Sequence, residues 1–482
     1  MDSLPALPPW ALYSAALACA AASLYLLYSW SPLARGGGKG GARRTPVLHS
    51  IGTANPPRSL TGAEFLEIVK TLDYPEAMQG KMERVVAASG ISRRFCVSGA
   101  PVEQYAASMA AEGARGKLWD DCVPQLAVAA ARDALARWRH GSAADVTHVV
   151  VHSCTGFAAP GLDFEIIRAL GLRSSTRKIG VNFMGWCVGR VLAGGPPRAP
   201  CPPARHHPPP PHSFTRAHTA PQPRHSSPAR SFGGMTSLYV AKQLVEADET
   251  GKAVVLVTCA EACSVHVCKD PKMELAVGNS IFGDGAGAAI VTHAGFRGTV
   301  VGAGASTGAG AGAGAAAGAG AAFALESDSH EWGLGPMSSE IVPDSAAHMT
   351  WKQSSESGRY DMWLDKAIPT SLMQFFLSSS AGLLWRVGLN PLTCAWALHP
   401  GGKGILNNFE AALKSLGFSP NGIECSHSVL DSYGNMSSAT IFFVLQRVLS
   451  GTQRDSAFFA AFGPGLTVEF GALTRLRRTV AA

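Results

Sequence analysis

Runs in which nearly every position is apolar, many of them β-branched, recur along this chain between longer helical stretches. Val47–Ala54, Val146–Val151 and Ala253–Val257 are such runs, and they predict strands, the last two buried on both faces. Val47–Ala54 ends in a turn before Asn55-Pro-Pro. Leu126–Trp138, rich in Ala and Leu, and Gly234–Ala247 predict helices. Short apolar strands alternating with helices imply an α/β fold with covered sheets.

Four segments break this order. Trp10–Trp30 carries no charge over 21 residues, enough for a helix to cross a bilayer core of about 30 Å. Trp10, Tyr28 and Trp30 suit the interfaces, and Arg35, Lys39, Arg43 and Arg44 follow the segment. That order predicts a single-pass anchor with the body on the cytoplasmic side, the endoplasmic reticulum being the expected membrane. A cleaved leader would carry its positive charge first. Arg35–Gly41 is a Gly-rich linker. Arg190–Gly233 holds 12 prolines, five histidines, six arginines and no acidic residue, and cannot form a packed element. Gly302–Ala322 is almost wholly Gly and Ala, with too little side chain to offset backbone ordering. The expected units are therefore 1–44 (anchor and linker), 45–294 (first half, with 190–233 as an excursion) and 295–482 (second half, with 302–322 as a loop).

Composition narrows the class. Over 482 residues, 46% apolar and 16% charged, the chain can bury a large core and does not read as disordered. The net charge of +7 resides in the anchor flank and the Pro-rich stretch, which argues against nucleic-acid binding. The 11 cysteines show no CxxC pair or zinc-type spacing, so free thiols in a reducing compartment are expected. Cys201, His206, His207 and His212 could form a metal site, but a loop of arbitrary composition is the expected reading. No metal or cofactor is called for.

Candidate chemistry centres on Cys187, in Asn182-Phe-Met-Gly-Trp-Cys-Val-Gly189. A free thiol is mostly protonated at neutral pH, and a helix N-terminus or a nearby imidazole activates it. His399 in Ala-Leu-His-Pro-Gly-Gly402 offers the imidazole, and Asn435 in Tyr433-Gly-Asn-Met-Ser-Ser438 an amide. If the three meet, thiolate and paired donors form an acyl-transferring, carbon–carbon bond-forming site. Decarboxylation of a malonyl thioester leaves an enolate oxygen that such donors stabilise. Each residue also has a plain structural reading: Cys187 as a buried small residue, His399 in a turn, Asn435 as a helix cap.

Five segments in order carry a resemblance: His152-Ser-Cys-Thr-Gly-Phe-Ala-Ala-Pro-Gly-Leu-Asp163, Ile281-Phe-Gly-Asp-Gly-Ala286, His399-Pro-Gly-Gly402, Tyr433-Gly-Asn-Met-Ser-Ser438 and Phe462-Gly-Pro-Gly-Leu-Thr-Val-Glu469. Together they resemble the type III polyketide synthases, the chalcone and stilbene synthase family. The resemblance implies an α/β fold of thiolase-like αβαβα layers in two similar halves, a homodimer, and acyl-CoA and malonyl-CoA as substrates. It implies Cys187, His399 and Asn435 as catalytic residues and Phe282 as a gatekeeper, a core aromatic being the plain alternative. Cys154 and Thr155 fall in the pocket, and Gly463, Pro464 and Gly465 in a cavity-shaping loop. Arg93 and Arg94 suit coenzyme A phosphates, or are simply an exposed basic pair.

The chain also departs from that family's pattern. Trp186 replaces the glycine before the nucleophile, Cys154 and Thr155 replace Thr and Ser, and Ala159 replaces a methionine. These changes resemble the microbial and alkylresorcinol-type branches and, with the anchor, imply a long-chain acyl-CoA starter. Joining Val188-Gly189 to Gly234-Met-Thr-Ser-Leu238 restores a Cys-x-x-Gly helix start, so the Pro-rich stretch has the character of an insertion. Gly194-Gly-Pro-Pro197 cannot continue a helix. A membrane-bound 3-ketoacyl-CoA synthase and an inactive homologue, or a mis-spliced form, stay open beside the polyketide synthase.

Overall fold

A computed structural model of the chain describes residues 45–72, 74–105, 113–181, 231–267, 272–298, 330–353 and 360–477. The expected anchor at 10–30, the linker, Cys187, the Pro-rich stretch up to residue 230 and the Gly/Ala run lie outside the described residues.

In the first half the elements run β1 (Pro46–Ala54), β2 (Arg58–Thr61), α1 (Gly62–Lys70), α2 (Glu76–Ala88), β3 (Arg93–Cys96), α3 (Ala114–Arg137), β4 (His148–His152), α4 (Leu162–Leu170), β5 (Arg177–Gly180), α5 (Gly233–Ala247), β6 (Val254–Ala262), α6 (Met273–Ile281) and β7 (Asp284–His293). Thr61 starts α1 through a capping box with Glu64, each side chain meeting the other's backbone N–H. Helix α3 begins 12 residues before the expected Leu126 and contains Pro124, a residue that ordinarily breaks a helix interior. Its Ala-rich later half buries Ala127, Ala130, Ala131 and Ala134, which the expectation did capture.

The second half runs β8 (His330–Ile341), β9 (Met349–Gln353), β10 (Tyr360–Leu364), α7 (Ile368–Val387), β11 (Ala395–Leu398), α8 (Lys403–Ser415), α9 (Ile423–Tyr433), α10 (Thr440–Gly451), β12 (Ser456–Gly463) and β13 (Thr467–Arg477). The two-stranded sheets β2–β3 and β9–β10 stand apart from one long mixed sheet, ordered β11-β12-β13-β8-β1-β7-β6-β4-β5. Only Val47 and Leu48 of β1 pair with β8, opposite Gly333 and Trp332, and there the strands of the two halves join.

The period of two along each strand sorts side chains into layers. Val149, Val151, Val254 and Leu256 pack with Val123, Ala127 and Ile166 of α3 and α4. Val150, Val255 and Val257 face the other way, towards Leu238 and Ala241 of α5 and Phe442 and Leu445 of α10. Ala395, Ala397 and Phe459 of the second half reach the same central helices. Trp396, Leu398 and Phe458 turn outward to Phe376 of α7 and Phe409 of α8. The order is helices, strands, paired helices, strands, helices. Because both faces of these strands are covered, they read as continuous apolar runs.

Candidate active site

His399 directly follows β11, with its N–H donating to the carbonyl of Ala460 on the parallel neighbour β12 at 2.8 Å. The side chain is 1% exposed, and neither ring nitrogen has a hydrogen-bond partner among the described residues. Burial alone pulls its pKa down to about 3, so the imidazole is neutral at ordinary pH. A buried polar ring left without partners is unusual and needs an explanation.

Asn435 is set by the end of α9. Gly434 takes φ 69°, a left-handed turn that favours glycine, and reverses the chain into a parallel bridge with Phe282. The Asn435 N–H donates to Ile281 at 2.8 Å, and its carbonyl accepts from Gly283 N–H at 3.0 Å. Its side-chain Oδ1 accepts from Ser437 N–H at 2.8 Å. That leaves the amide NH2 as the donor available to a ligand. Ser437 holds φ 51°, a strained conformation for a non-glycine residue.

His399, Asn435, Phe282, Met349, Phe462 and Ser231 line one small cavity. Ser231 was not foreseen. It is 5% exposed, lies two residues before α5, and its Oγ accepts from Ser437 Oγ at 3.4 Å. Sequence reasoning put only Cys187 at the start of this helix; the described chain puts Ser231 there. The available signal was the pair Gly233-Gly234, which opens the helix and which the Pro-rich composition beside it obscured. Thr236 of α5 donates to Glu469 of β13 at 2.9 Å, tying the helix start to the second half.

Phe282 and Met362 also border a larger cavity, with about 730 Å³ of space between atoms including its mouth. Cys154, Thr155, Arg94, His266 and Trp351 line it. The Sγ of Cys154 lies 3.2 Å from Ser437 Oγ. Both Cys154 and Thr155 donate backbone N–H groups to the buried carboxylate of Glu261, at 3.0 and 3.1 Å, and Thr155 Oγ1 donates at 2.8 Å. His152, Cys154 and Glu261 bring possible metal-ligand atoms within 4.8 Å of one another. The Glu261 oxygens are already occupied by these donors and by Ser438 Oγ, so the group serves as a clamp on the 153–155 turn. His266 Nε2 is 2.7 Å from the carbonyl of Thr155, which can only accept, so the ring proton is on Nε2. Burial pulls this histidine down to about 4.

The remaining expected residues are placed as follows. Arg93 is exposed, but Arg94 is 2% exposed, so the pair is not a surface pair. The alternation of β3 turns Arg94 inward, where its guanidinium stacks 3.8 Å from the centre of the Phe65 ring. Gly463, Pro464 and Gly465 line neither cavity. Gly463 abuts the Phe232 ring, where an added Cβ would lie 2.3 Å from it. Gly465 N–H donates to Met349 at 3.0 Å, so the loop braces β9 and positions Phe462 and Met349 at the cavity.

Layered helices and strands in two halves, with His and Asn donors at the seam between them, define a thiolase-like enzyme. The family profile for the N-terminal domain of chalcone and stilbene synthases matches residues 39–193 and 229–295, and that for the C-terminal domain matches 334–476. The chain belongs to this family, the type III polyketide synthases, and is an acyltransferase. It is 28% identical over 446 residues to bisdemethoxycurcumin synthase of Oryza sativa subsp. japonica, covering 87% of this chain and 90% of the relative. It is 25% identical over 431 residues to the alpha-pyrone synthesis polyketide synthase-like Pks18 of Mycobacterium tuberculosis, covering 88% and 89%. In fold it matches the C-terminal type III polyketide synthase domain of Steely1 from Dictyostelium, with a TM-score of 0.67 at 22% identity. That match covers 89% of this chain and 99% of the domain. Among the described residues no helix is long and apolar enough to cross a membrane.

Proposed function

We propose that the chain extends an acyl-CoA starter with malonyl-CoA by decarboxylative Claisen condensation. The carrying observation is the cavity shared by His399 and Asn435, with both imidazole nitrogens unpartnered and the ring neutral. In this reading the Cys187 thiolate attacks the starter thioester, the new C–S bond forms, and coenzyme A leaves as its thiol. Loss of carbon dioxide from malonyl-CoA then gives an enolate. Its oxygen is held by the N–H of the neutral His399 ring and the Asn435 amide, neither of which takes up charge. The enolate carbon attacks the Cys187-bound acyl carbonyl, the acyl–sulphur bond breaks to release the Cys187 thiolate, and the coenzyme A-bound chain grows by two carbons. No metal or cofactor enters these steps.

The starter we favour is a long-chain acyl-CoA, closing to an alkylresorcinol or pyrone. Apolar Phe282, Trp351, Met362 and Leu275 on the larger cavity support it, as does the relative named for alpha-pyrone synthesis. Residues 10–30 would anchor the body on the cytoplasmic face of the endoplasmic reticulum, and two copies would pair. Arg93, on the exposed side of β3, suits a coenzyme A phosphate. The test is purified full-length protein with malonyl-CoA and starters of graded length, with products read by mass. Cyclised products from long-chain starters are expected. Preference for a phenylpropanoid starter would overturn the starter assignment, and a single two-carbon extension would point to a 3-ketoacyl-CoA synthase.

A further inference from the structure

Arg94 is the one lining residue of the larger cavity that brings a formal positive charge there among the described residues. Each part of its guanidinium is accounted for except one edge. One face stacks on Phe65. The Nη1 group donates to the carbonyl of Phe282 at 3.1 Å. Nε and Nη2 are both buried and have no hydrogen-bond partner. Those two nitrogens are the side-on pair of the guanidinium, whose N–H bonds point the same way and match two oxygens held by one planar group.

No carboxylate among the described residues neutralises this charge. Asp284 lies two residues beyond Phe282, whose carbonyl Arg94 meets, but its oxygens accept from Val97 N–H and Ser264 N–H, each at 2.8 Å. Burial pulls the Arg94 pKa down to about 9, which leaves it cationic at neutral pH. An arginine buried without a counter-charge is strongly unfavourable unless an anionic oxygen arrives to meet it. Phe65, Phe282, Leu275 and Met362 make much of the lining apolar, so such a contact would be shielded from water and strengthened.

We propose that the Nε/Nη2 edge of Arg94 binds the paired oxygens of a 1,3-dicarbonyl unit in its enolate form, as carried by a growing poly-β-keto chain. The idea rests on the condensation reading above, since condensation generates such units. A simple carboxylate presents the same two-oxygen edge, so the test has an arm for each. Binding favours the enolate over the neutral diketone, because a delocalised negative charge spread over two oxygens matches the fork. Arg94 would thereby hold the extended chain in one orientation in the cavity and stabilise the enolate left when the carbon between the two carbonyls gives its proton to water.

The experiment titrates the full-length protein with acetylacetone, an enolisable 1,3-diketone, and separately with malonate, by calorimetry at mildly alkaline pH. Arg94→Met should bind acetylacetone at least about 10-fold more weakly than the wild type, the scale of a lost charge-assisted pair. Arg94→Lys keeps the charge but loses the fork, and should also bind more weakly. Without ligand, Arg94→Met should melt no lower than the wild type, because it removes an uncompensated buried charge. Equal acetylacetone affinity in a folded Arg94→Met protein overturns the proposal. Binding of malonate but not acetylacetone overturns the enolate assignment, and a much lower melting point would make Arg94 a structural clamp on Phe282. A wild type that binds acetylacetone through Arg94 yet condenses no malonyl-CoA would leave this site standing and remove the reading of function.

Discussion

Asn435 is stitched to the backbone on both sides of Phe282, donating to Ile281 and accepting from Gly283, so the amide and the aromatic ring move as one unit. The amide donor and the residue dividing the two cavities are thereby fixed relative to each other by the main chain. Side-chain packing alone would not give that precision.

Asn435→Ala should leave this bridge intact, since both bonds are made by the backbone, while removing the enolate donor. The rate of carbon dioxide release from malonyl-CoA is expected to fall about 10²- to 10³-fold, the usual loss for one oxyanion donor. A melting curve close to wild type checks that the fold is kept. Undiminished decarboxylation would exclude Asn435 as a donor.

The acyl group itself can be located. Brief incubation with a starter acyl-CoA, proteolysis and mass mapping should find the acyl group on Cys187, and Cys187→Ala should abolish it. The alternative is Ser231, whose hydroxyl lies in the His399 cavity at the start of α5. Acyl-Ser231 in the wild type would transfer the nucleophile's role to the serine. A transcript lacking the codons for roughly residues 190–233 would show that the functional enzyme brings the cysteine directly to this helix.

Acid sensitivity follows from His399. Its folded pKa of about 3 lies below the unfolded value near 6.5, so its contribution to stability is present above about 6.5 and is lost as pH falls towards 3. His266, at about 4, adds to the same trend. Between pH 6.5 and 5 the wild type should lose about 1.6 kcal/mol for His399 alone. Urea midpoints at the two pH values should therefore differ less in His399→Gln. An unchanged difference would mean that the ring is solvated or paired.

Gly463→Ala would push a methyl group into the Phe232 ring at the start of α5. A cost of about 1–3 kcal/mol is expected, as for other overpacked sites. Chemical denaturation measures it, and a neutral result would show that the ring can swing aside.

Much of this architecture was legible because it is written in burial. Val149–Val151 and Val254–Val257 are covered on both faces, so their sequences carry no polar interruption and announce themselves as strands. His399 and Asn435 sit in short Gly-containing turns, and such turns leave a local signature. The burial of Arg94 was not legible: Ser92, Arg93 and Arg94 look alike in sequence, and only the pairing of β3 with β2 decides which side faces inward. Ser231 was hidden for a different reason. Its placement depends on α5 docking between His152 and Ser438, where Gly233 and Gly234 make room, a long-range event with no local trace.

The narrow seam at Val47 and Leu48 bears on how the protein could be divided. Each half contributes one helix to the central layer, α5 from the first and α10 from the second, and neither half can cover that surface alone. A chain severed between β7 and β8 would yield two fragments with complementary apolar faces that re-associate spontaneously. Because Phe282 and Ser231 come from one fragment and His399 and Asn435 from the other, recovered turnover would count reassembled pairs, making the enzyme a split reporter of its own docking.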